Sequence, residues 1–265
     1  MSDEIETVVE SIYDHPKYYD LVFGADCAAE TKFIIECGQR FATGKIRSLF
    51  EPACGTGRLL FHLAKKGYRV DGNDLNPKAI EFCNDRLARH GFKDRASVAD
   101  MSAFESKKQY DLAFNTINSF RHLPSERAAE GHLECMGRCI REGGLYLLGV
   151  HLTPTQAEPS DGESWSARRG HLAINTHMWT IERNPAKRVE RYGIRFDIHN
   201  PTKSWRIDDV LVLRSYTAPQ MTRLIGKSGM WEIVQTFDFV YDIESPVTVD
   251  AASEDVVYVL RRRKC

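Results

Sequence analysis

The chain has 265 residues, of which 42% are hydrophobic and 10% aromatic, and its formal net charge is -1. This length suffices for one large α/β domain, or for a domain of roughly 150–200 residues that carries a sizeable insertion. A near-neutral chain lacks the overall positive charge that attracts a phosphate backbone, so nucleic acid is not an expected partner.

The N-terminus and the cysteines indicate the compartment. Residues 1–7 are acidic and lack the apolar segment of a signal peptide, and no uncharged apolar run is long enough to span a bilayer. The seven cysteines include no Cys-x-x-Cys pair, and we interpret Cys135 and Cys139, four residues apart on a predicted helix, as small core residues rather than half of a zinc site. We therefore predict free thiols, no metal site, no membrane attachment and a cytoplasmic location.

The first half of the chain alternates strand-like and helix-like segments, which is typical of a parallel sheet covered by helices. Strands are predicted over 46–51, 69–74, 96–99, 110–115 and 144–152, and helices over 57–66, 77–90 and 125–140. Pro77 and Ser125 are typical of helix starts, and Gly67 and Gly91 are typical of helix ends.

The pattern changes after residue 152. A loop over 153–163 precedes three predicted antiparallel strands over 171–182, 189–199 and 204–215, and a helix over 219–228 and strands over 231–241 and 256–262 follow. Three regions result: N-terminal helices and the core over 1–152, an inserted antiparallel layer over 153–215, and the end of the core over 216–265. We expect the insertion to cover the carboxyl ends of the parallel strands, where open α/β sheets bind ligands.

The segment Leu49-Phe-Glu-Pro-Ala-Cys-Gly-Thr-Gly-Arg58 carries the sharpest signal in the sequence. It lies between the first strand and the first helix of the alternating half. Gly55 and Gly57 lack side chains where a backbone must approach a ligand, and the next helix presents free N–H groups. The strand before it and the helix after it distinguish this segment from an ordinary turn.

An acidic residue ends the second predicted strand. Asp74 lies about 20 residues beyond the glycines, where doubly wound folds place an acid that binds ribose hydroxyls. A nicotinamide enzyme fits the same logic, but Leu60 stands in place of the third glycine of Gly-x-Gly-x-x-Gly, and Glu51 directly precedes the loop. A carboxylate repels a pyrophosphate and attracts an α-amino group. The segment therefore favours a cofactor with an amino group over a dinucleotide.

The motif Glu51-Pro-Ala-Cys-Gly-Thr-Gly-Arg58 closely resembles the first motif of class I S-adenosylmethionine-dependent methyltransferases. The resemblance continues through Asp74, Ala99-Asp-Met101 and the segment 114–123, and it covers roughly residues 45–152. It implies a Rossmann-like, seven-stranded, doubly wound α/β sheet, with the antiparallel insertion as a substrate lid between the fifth strand and the last helix. It also implies S-adenosylmethionine as cofactor and S-adenosylhomocysteine as product.

The resemblance assigns roles to individual residues. The two glycines would pack against the methionine part of the cofactor, Glu51 would orient the loop or meet the amino group, and Asp74 would take the ribose hydroxyls. The implied cofactor-binding residues are Tyr13, Tyr19, Glu51, Ala53, Gly55, Gly57, Arg58, Asp74, Leu75, Asp100, Met101 and Asn115. An alternative for Asp100 is that it caps a turn, and Tyr13 and Tyr19 are equally compatible with core anchors of a helix.

The flanks are similar to the small-molecule branch of this class, which includes glycine, sarcosine and amino-sugar N-methyltransferases. Tyr13-Asp14 and Tyr18-Tyr-Asp20 match an N-terminal helix over the cofactor, and Arg214-Ser-Tyr-Thr217 matches the return into the last strands. The resemblance implies methyl transfer to an N or O atom of a small-molecule acceptor. The length and sequence of the insertion match no close relative, so the acceptor stays open, as does the oligomeric state.

His122 is the candidate general base, because it follows the fourth strand on the expected substrate side. A histidine that only packs or bonds the backbone fits this position equally well. Two other functions stay open: a protein or RNA methyltransferase, and a protein that binds S-adenosylmethionine without catalysis. Asn115-Thr-Ile-Asn118 stands where methyltransferases of base amino groups have Asn/Asp-Pro-Pro-Tyr, which disfavours the first of them.

Overall fold

Helices and strands alternate through most of the computed structural model, which describes residues 5–24, 27–93, 95–158 and 161–264. The helices are α1 (Pro16–Phe23), α2 (Ala28–Phe41), α3 (Arg58–Lys65), α4 (Pro77–Arg89), α5 (Glu126–Cys139) and α6 (Ala218–Lys227). The strands are β1 (Glu6–Val9), β2 (Ser48–Pro52), β3 (Arg69–Asp74), β4 (Ala96–Val98), β5 (Tyr110–Asn115), β6 (Ile140–His151), β7 (Gly162–Arg169), β8 (Leu172–Asn184), β9 (Val189–His199), β10 (Ser204–Arg214), β11 (Trp231–Phe237) and β12 (Asp255–Arg262). Short 3₁₀-helices span Ile12–Asp14 and Ser119–His122.

Seven strands form the main sheet in the order β11-β12-β6-β5-β2-β3-β4. Strand β12 is antiparallel to both of its neighbours, and β2 to β6 are parallel to one another. The predicted Rossmann-like, seven-stranded α/β sheet is confirmed. The strand order reverses at β2, which lies between β5 and β3, and this reversal opens the crevice in which such sheets bind ligands.

Local sequence explains the helices that flank the crevice. In α3, Leu60, Leu63 and Ala64 recur at helical spacing, and all three are buried against the sheet, together with Leu59. Helix α4 begins at Pro77, and the side chain of Asn76 caps it by accepting from the backbone N–H of Lys78 at 2.8 Å. Because α3 follows β2 and α4 follows β3, both helices start at the carboxyl end of the sheet, with their N-termini beside the crevice.

The insertion forms a second sheet with the order β1-β10-β9-β8-β7. Its four strands from the insertion are antiparallel, and β1 adds to the edge in parallel, with Glu6 opposite Trp205. Neither β1 nor β7 is among the predicted strands, and α2 is not among the predicted helices. Strand β1 has only four residues and no buried one, so it carries no local pattern.

Aromatic contacts join this second sheet to α1. The rings of Trp165 and Phe23 lie 5.7 Å apart and those of Trp205 and Tyr18 5.8 Å apart, both edge to face. Behind them, the buried apolar core of the layer contains Ile12, Leu21, Ile174, Ile194, Phe196, Ile198 and Ile207. The N-terminal segment and the insertion thus share one hydrophobic core, although about 140 residues separate them in the sequence.

Other predicted features concern cysteines, metals and membranes. Six cysteines within the described residues are free and buried, and Cys265 lies outside those residues. No group of three or more metal-ligating side chains occurs among the residues described. Across the same ranges, no helix combines the length and the apolar character needed to cross a bilayer.

A buried histidine makes stability pH-dependent. The ring of His132 is fully buried between the Met101 carbonyl (3.0 Å) and the Tyr146 hydroxyl (2.7 Å), and burial lowers the pKa of His132 to about 4. Because the unfolded chain binds this proton near pH 6.5, stability is complete above that pH and is lost as the pH falls toward 4. We expect His132 to account for a loss of about 2 kcal/mol in the free energy of unfolding between pH 7.5 and 5.0. Urea unfolding at both pH values measures the loss, and an equal loss in His132→Gln would contradict this source.

Candidate cofactor and acceptor site

A cavity of about 780 Å³ lies between the carboxyl ends of β2, β3, β5 and β6 and the second sheet. Eight predicted site residues line it, namely Tyr13, Tyr19, Ala53, Gly55, Asp74, Leu75, Met101 and His122. Five others do not, namely Glu51, Gly57, Arg58, Asp100 and Asn115. We divide the cavity into a cofactor half, lined by residues 11–23, 53–56, 74–79 and 99–101 and Ile117, and an acceptor half, lined by residues of 118–122, 151–153, 162–213 and 254–255.

The two glycines of the loop meet different surroundings. Gly55 has φ +52°, and a Cβ there would contact only a ring carbon of Tyr19, at 4.0 Å, so this position opens toward the cavity. Gly57 has φ +68°, and a Cβ there would lie 2.2 Å from the sulfur of Cys83 in α4. Close packing of the loop against α4 therefore accounts for Gly57, whereas Gly55 leaves space at the cavity wall.

Asp74 holds the loop in place at the end of β3. One oxygen of its carboxylate accepts from the backbone N–H of Gly55 and the other from that of Asn76, both at 2.8 Å. Burial raises the pKa of Asp74, while these backbone hydrogen bonds oppose the shift. Each oxygen keeps lone-pair capacity for a ligand hydroxyl, and the exposed side chain of Leu75 lines the cavity beside it.

Two buried polar groups behind the loop lack partners within the described residues. They are Oε2 of Glu51 and Oδ1 of Asn115, whose Nδ2 donates to the Pro52 carbonyl at 2.9 Å. Burial raises the pKa of Glu51 well above its usual value. Unsatisfied buried acceptors are costly, so both oxygens favour a donor nearby.

Arg58 and Asp100 are engaged elsewhere. Nη1 and Nη2 of Arg58 both donate to the carboxylate of Glu30 in α2, the latter at 2.8 Å. Asp100 accepts from the backbone N–H and the hydroxyl of Ser102, both at 2.7 Å, which is the turn-capping alternative. In that segment Ala99 and the buried Met101 line the cavity, and Asp100 does not.

An aromatic cluster closes one side of the cavity. The Tyr13 hydroxyl lies 2.9 Å from Nε2 of His122, and the rings of Tyr13 and Tyr19 are 5.4 Å apart. Burial raises the pKa of Tyr13 and raises that of Tyr19 to about 12, while burial lowers the pKa of His122. Near neutral pH the cluster is therefore uncharged, with both phenols protonated and the imidazole neutral.

Asp20 is a site-positioning residue that the sequence does not reveal. It is almost fully buried in α1 and accepts from the Thr56 hydroxyl at 3.1 Å, and it pairs with Arg86 of α4 and with Arg169 of β7. This carboxylate thus ties the glycine loop, α4 and the second sheet to α1. Only the long-range contacts of the fold identify it, since Asp20 and Arg169 are 149 positions apart in the sequence.

Family and structure comparisons agree with this geometry. Residues 50–144 match the family described as a methyltransferase domain. The fold matches an S-adenosylmethionine-dependent methyltransferase from Clostridium acetobutylicum with a TM-score of 0.75 at 17% identity, over 94% of this chain and 97% of that one. Residues 50–144 thus match a methyltransferase domain, and the chain has the fold of solved S-adenosylmethionine-dependent methyltransferases.

Two further proteins that this chain resembles have named acceptors. A sugar N-methyltransferase from Streptoalloteichus has a TM-score of 0.73 at 18% identity, over 97% of this chain and 95% of that one. The dTDP-3-amino-3,4,6-trideoxy-alpha-D-glucopyranose N,N-dimethyltransferase of Streptomyces venezuelae is 22% identical over 196 residues, which are 73% of this chain and 79% of that enzyme. Across three curated relatives, the matched region spans 56% to 79% of the relative's length.

Residues at the cavity wall, and Glu51 behind it, fit S-adenosylmethionine. The orphaned oxygen of Glu51 suits an amino group, the open wall at Gly55 suits the methionine chain, and the carboxylate of Asp74 suits ribose hydroxyls. These three assignments remain predictions.

Substitution of Asp74 tests the ribose assignment. We expect Asp74→Ala to weaken the binding of S-adenosylhomocysteine by about 1.5–3 kcal/mol, the scale of a hydrogen bond to a charged group. Titration calorimetry measures the loss, and Asp71→Ala is a control, because this acid lies on β3 but does not line the cavity. Unchanged affinity in a folded Asp74→Ala variant would remove the assignment.

Proposed function

We propose that this protein methylates the amino group of a small molecule, with an unphosphorylated amino sugar as the favoured acceptor class. Two of its relatives are named for N-methylation of sugars. S-adenosylmethionine, when bound, supplies a methyl group on a sulfonium. The amine must then approach without its extra proton and in line with that methyl group, in a site from which water is excluded.

The proposal rests on the negative charge of the acceptor half. Its side chains with a formal charge are four carboxylates, from Glu163, Glu190, Glu254 and Asp255, and two guanidinium groups, from Arg121 and Arg183. The difference of four and two gives a net charge of -2 with neutral histidines. A cationic amine is attracted to such a wall, whereas a hydroxyl acceptor gains nothing from it.

Both guanidinium groups are already engaged by carboxylates. Arg121 pairs with Glu190 inside the protein, and Arg183 pairs with Asp161 at 2.8 Å. A diphosphate in the acceptor half would compete with these carboxylates and face the remaining ones. This arrangement favours an amine without a nucleotide diphosphate, unlike the dTDP-sugar in the name of the Streptomyces venezuelae relative.

The proposal is tested by supplying acceptors with and without phosphate. The probes are 3-amino-3-deoxy-D-glucose, its thymidine diphosphate ester, sarcosine and glucose. We expect S-adenosylhomocysteine and an N-methyl product from the free amino sugar, with a kcat/KM at least tenfold above that of the diphosphate ester. Mass spectrometry identifies the product, and glucose is the control without an amine. Faster turnover of the diphosphate ester would contradict the charge argument, and methylation of glucose would contradict the N-acceptor.

A further inference from the structure

We propose that His151, held by Asp255, is the base that takes the proton from the acceptor's ammonium group. This inference rests on the proposed function and adds a catalytic residue to it. The two residues stand opposite each other on the antiparallel strands β6 and β12, and Nδ1 of His151 forms a hydrogen bond with Oδ1 of Asp255. Both residues line the acceptor half of the cavity.

The hydrogen bond to Asp255 fixes the tautomer of a neutral His151 ring. An ionised carboxylate can only accept, so Nδ1 of a neutral His151 carries the hydrogen and Nε2 keeps its lone pair. Within the described ranges, Nε2 has no hydrogen-bond partner, and 41% of the His151 side chain is exposed. The Phe239 ring, with its centroid 4.9 Å away, packs on the imidazole, and the backbone N–H of His151 donates to Asn118 at 3.0 Å. A carboxylate, an aromatic ring and a strand backbone therefore hold the open nitrogen in place.

The position of His151 suits the acceptor rather than the cofactor. Strands β5 and β6 are parallel, with Asn115 opposite Leu148. His151 is three residues farther along β6, which places its backbone roughly 10 Å beyond the end of β5 at 3.3 Å per residue. A group at this height can face the acceptor's nitrogen on the side that points away from the transferred methyl group.

His122 is arranged differently, although it lines the same cavity. Its Nε2 is engaged by the Tyr13 hydroxyl at 2.9 Å, and no carboxylate orients its ring through a hydrogen bond among the contacts described. His122 thus suits a packing or hydrogen-bonding role, and His151 has the orienting acid that a general base requires.

The proton transfer balances without a further reactant. An N–H bond of the ammonium group breaks, its electron pair stays on the nitrogen, and the proton bonds to Nε2 of His151. The negative charge of Asp255 stabilises the resulting imidazolium. The nitrogen pair then forms the bond to the methyl carbon while the carbon–sulfur pair passes to the sulfur, and His151 returns its proton to water.

Nitrogen NMR tests the imidazole without any acceptor. In protein labelled with ¹⁵N-histidine and saturated with S-adenosylhomocysteine, we expect His151 to carry its hydrogen on Nδ1. In Asp255→Asn, we expect this preference to be lost. A His151 ring with its hydrogen on Nε2 in the unaltered protein would overturn the proposal, whatever the acceptor proves to be.

Kinetics with 3-amino-3-deoxy-D-glucose test the role of His151 in the reaction. We expect His151→Ala to lower kcat at least 100-fold, with KM changed less than threefold, and added imidazole to restore part of the rate. His177→Gln is the control, because this exposed histidine bonds Ser164 and does not line the cavity. Unchanged affinity for S-adenosylhomocysteine verifies that the variant is folded. A full rate in His151→Ala would overturn the role of His151 as the base and leave the proposed N-methylation intact. If the unaltered protein methylates no amine, both proposals are overturned.

Discussion

Gly55→Val is expected to weaken S-adenosylhomocysteine binding at least 100-fold while the protein stays folded. A Cβ at this position has open space toward the cavity, with a Tyr19 ring carbon at 4.0 Å as its nearest neighbour. The branched side chain of valine would extend from there into the space that we assign to the methionine chain. It would also strain a backbone with φ +52°, because β-branched residues disfavour the left-handed region.

A second glycine separates the two effects. Gly229 has φ +66° and no atom near its missing side chain, and it does not line the cavity. Gly229→Val therefore carries comparable backbone strain without a side chain in the site. Calorimetry with S-adenosylhomocysteine and urea unfolding compare the two variants. Equal affinities in both would mean that Gly55 serves only the turn.

The parts of the site that follow from the sequence are those built from local structure. Gly55 and Asp74 each lie at the carboxyl end of a predicted strand, and a hydrogen bond of 2.8 Å joins them in the structure. Adjacent parallel strands bring such ends together whatever the rest of the chain does. The strand, loop and helix around Gly55 were therefore predictable, as was the seven-stranded sheet.

Arg58 shows where local pattern fails. A long side chain beside a glycine loop suggests a ligand contact, but its direction depends on Glu30, which lies in a helix that was not predicted. The signal for that helix is present in the sequence, because Phe33, Ile34 and Cys37 recur at helical spacing and are all buried. A predicted helix over this segment would have indicated Glu30, rather than the cofactor, as a partner for Arg58.

The acceptor half depends on contacts that no local pattern encodes. His151 and Asp255 are 104 residues apart, and they meet because β12 pairs with β6 in a particular antiparallel register. A shift of one residue in this register would separate them. Sequence periodicity identifies both strands but not their alignment, so this pair became visible only in the fold.

We expect the second large effect from breaking the ion pair between Arg121 and Glu190, which should lower the free energy of unfolding. Both side chains are almost fully buried, and Glu190 also accepts from the hydroxyls of Thr153 and Tyr192, each at 2.7 Å. Burial opposes the ionisation of Glu190, but the charge of Arg121 and these hydrogen bonds hold the pKa of Glu190 below its usual value. Removing the cation would leave a buried carboxylate uncompensated.

We therefore expect Arg121→Met to lower the free energy of unfolding by about 3–5 kcal/mol at pH 7. The double variant with Glu190→Leu should recover most of this loss, since it removes the buried charge together with its partner. Arg206→Met is the control, because Arg206 pairs with Asp197 at 2.6 Å on a partly exposed strand face, where an ion pair contributes little. Urea unfolding measures all of these variants. If the double variant is no more stable than Arg121→Met alone, packing and the bond from Arg121 to the Arg214 carbonyl, rather than charge, hold the second sheet against the core.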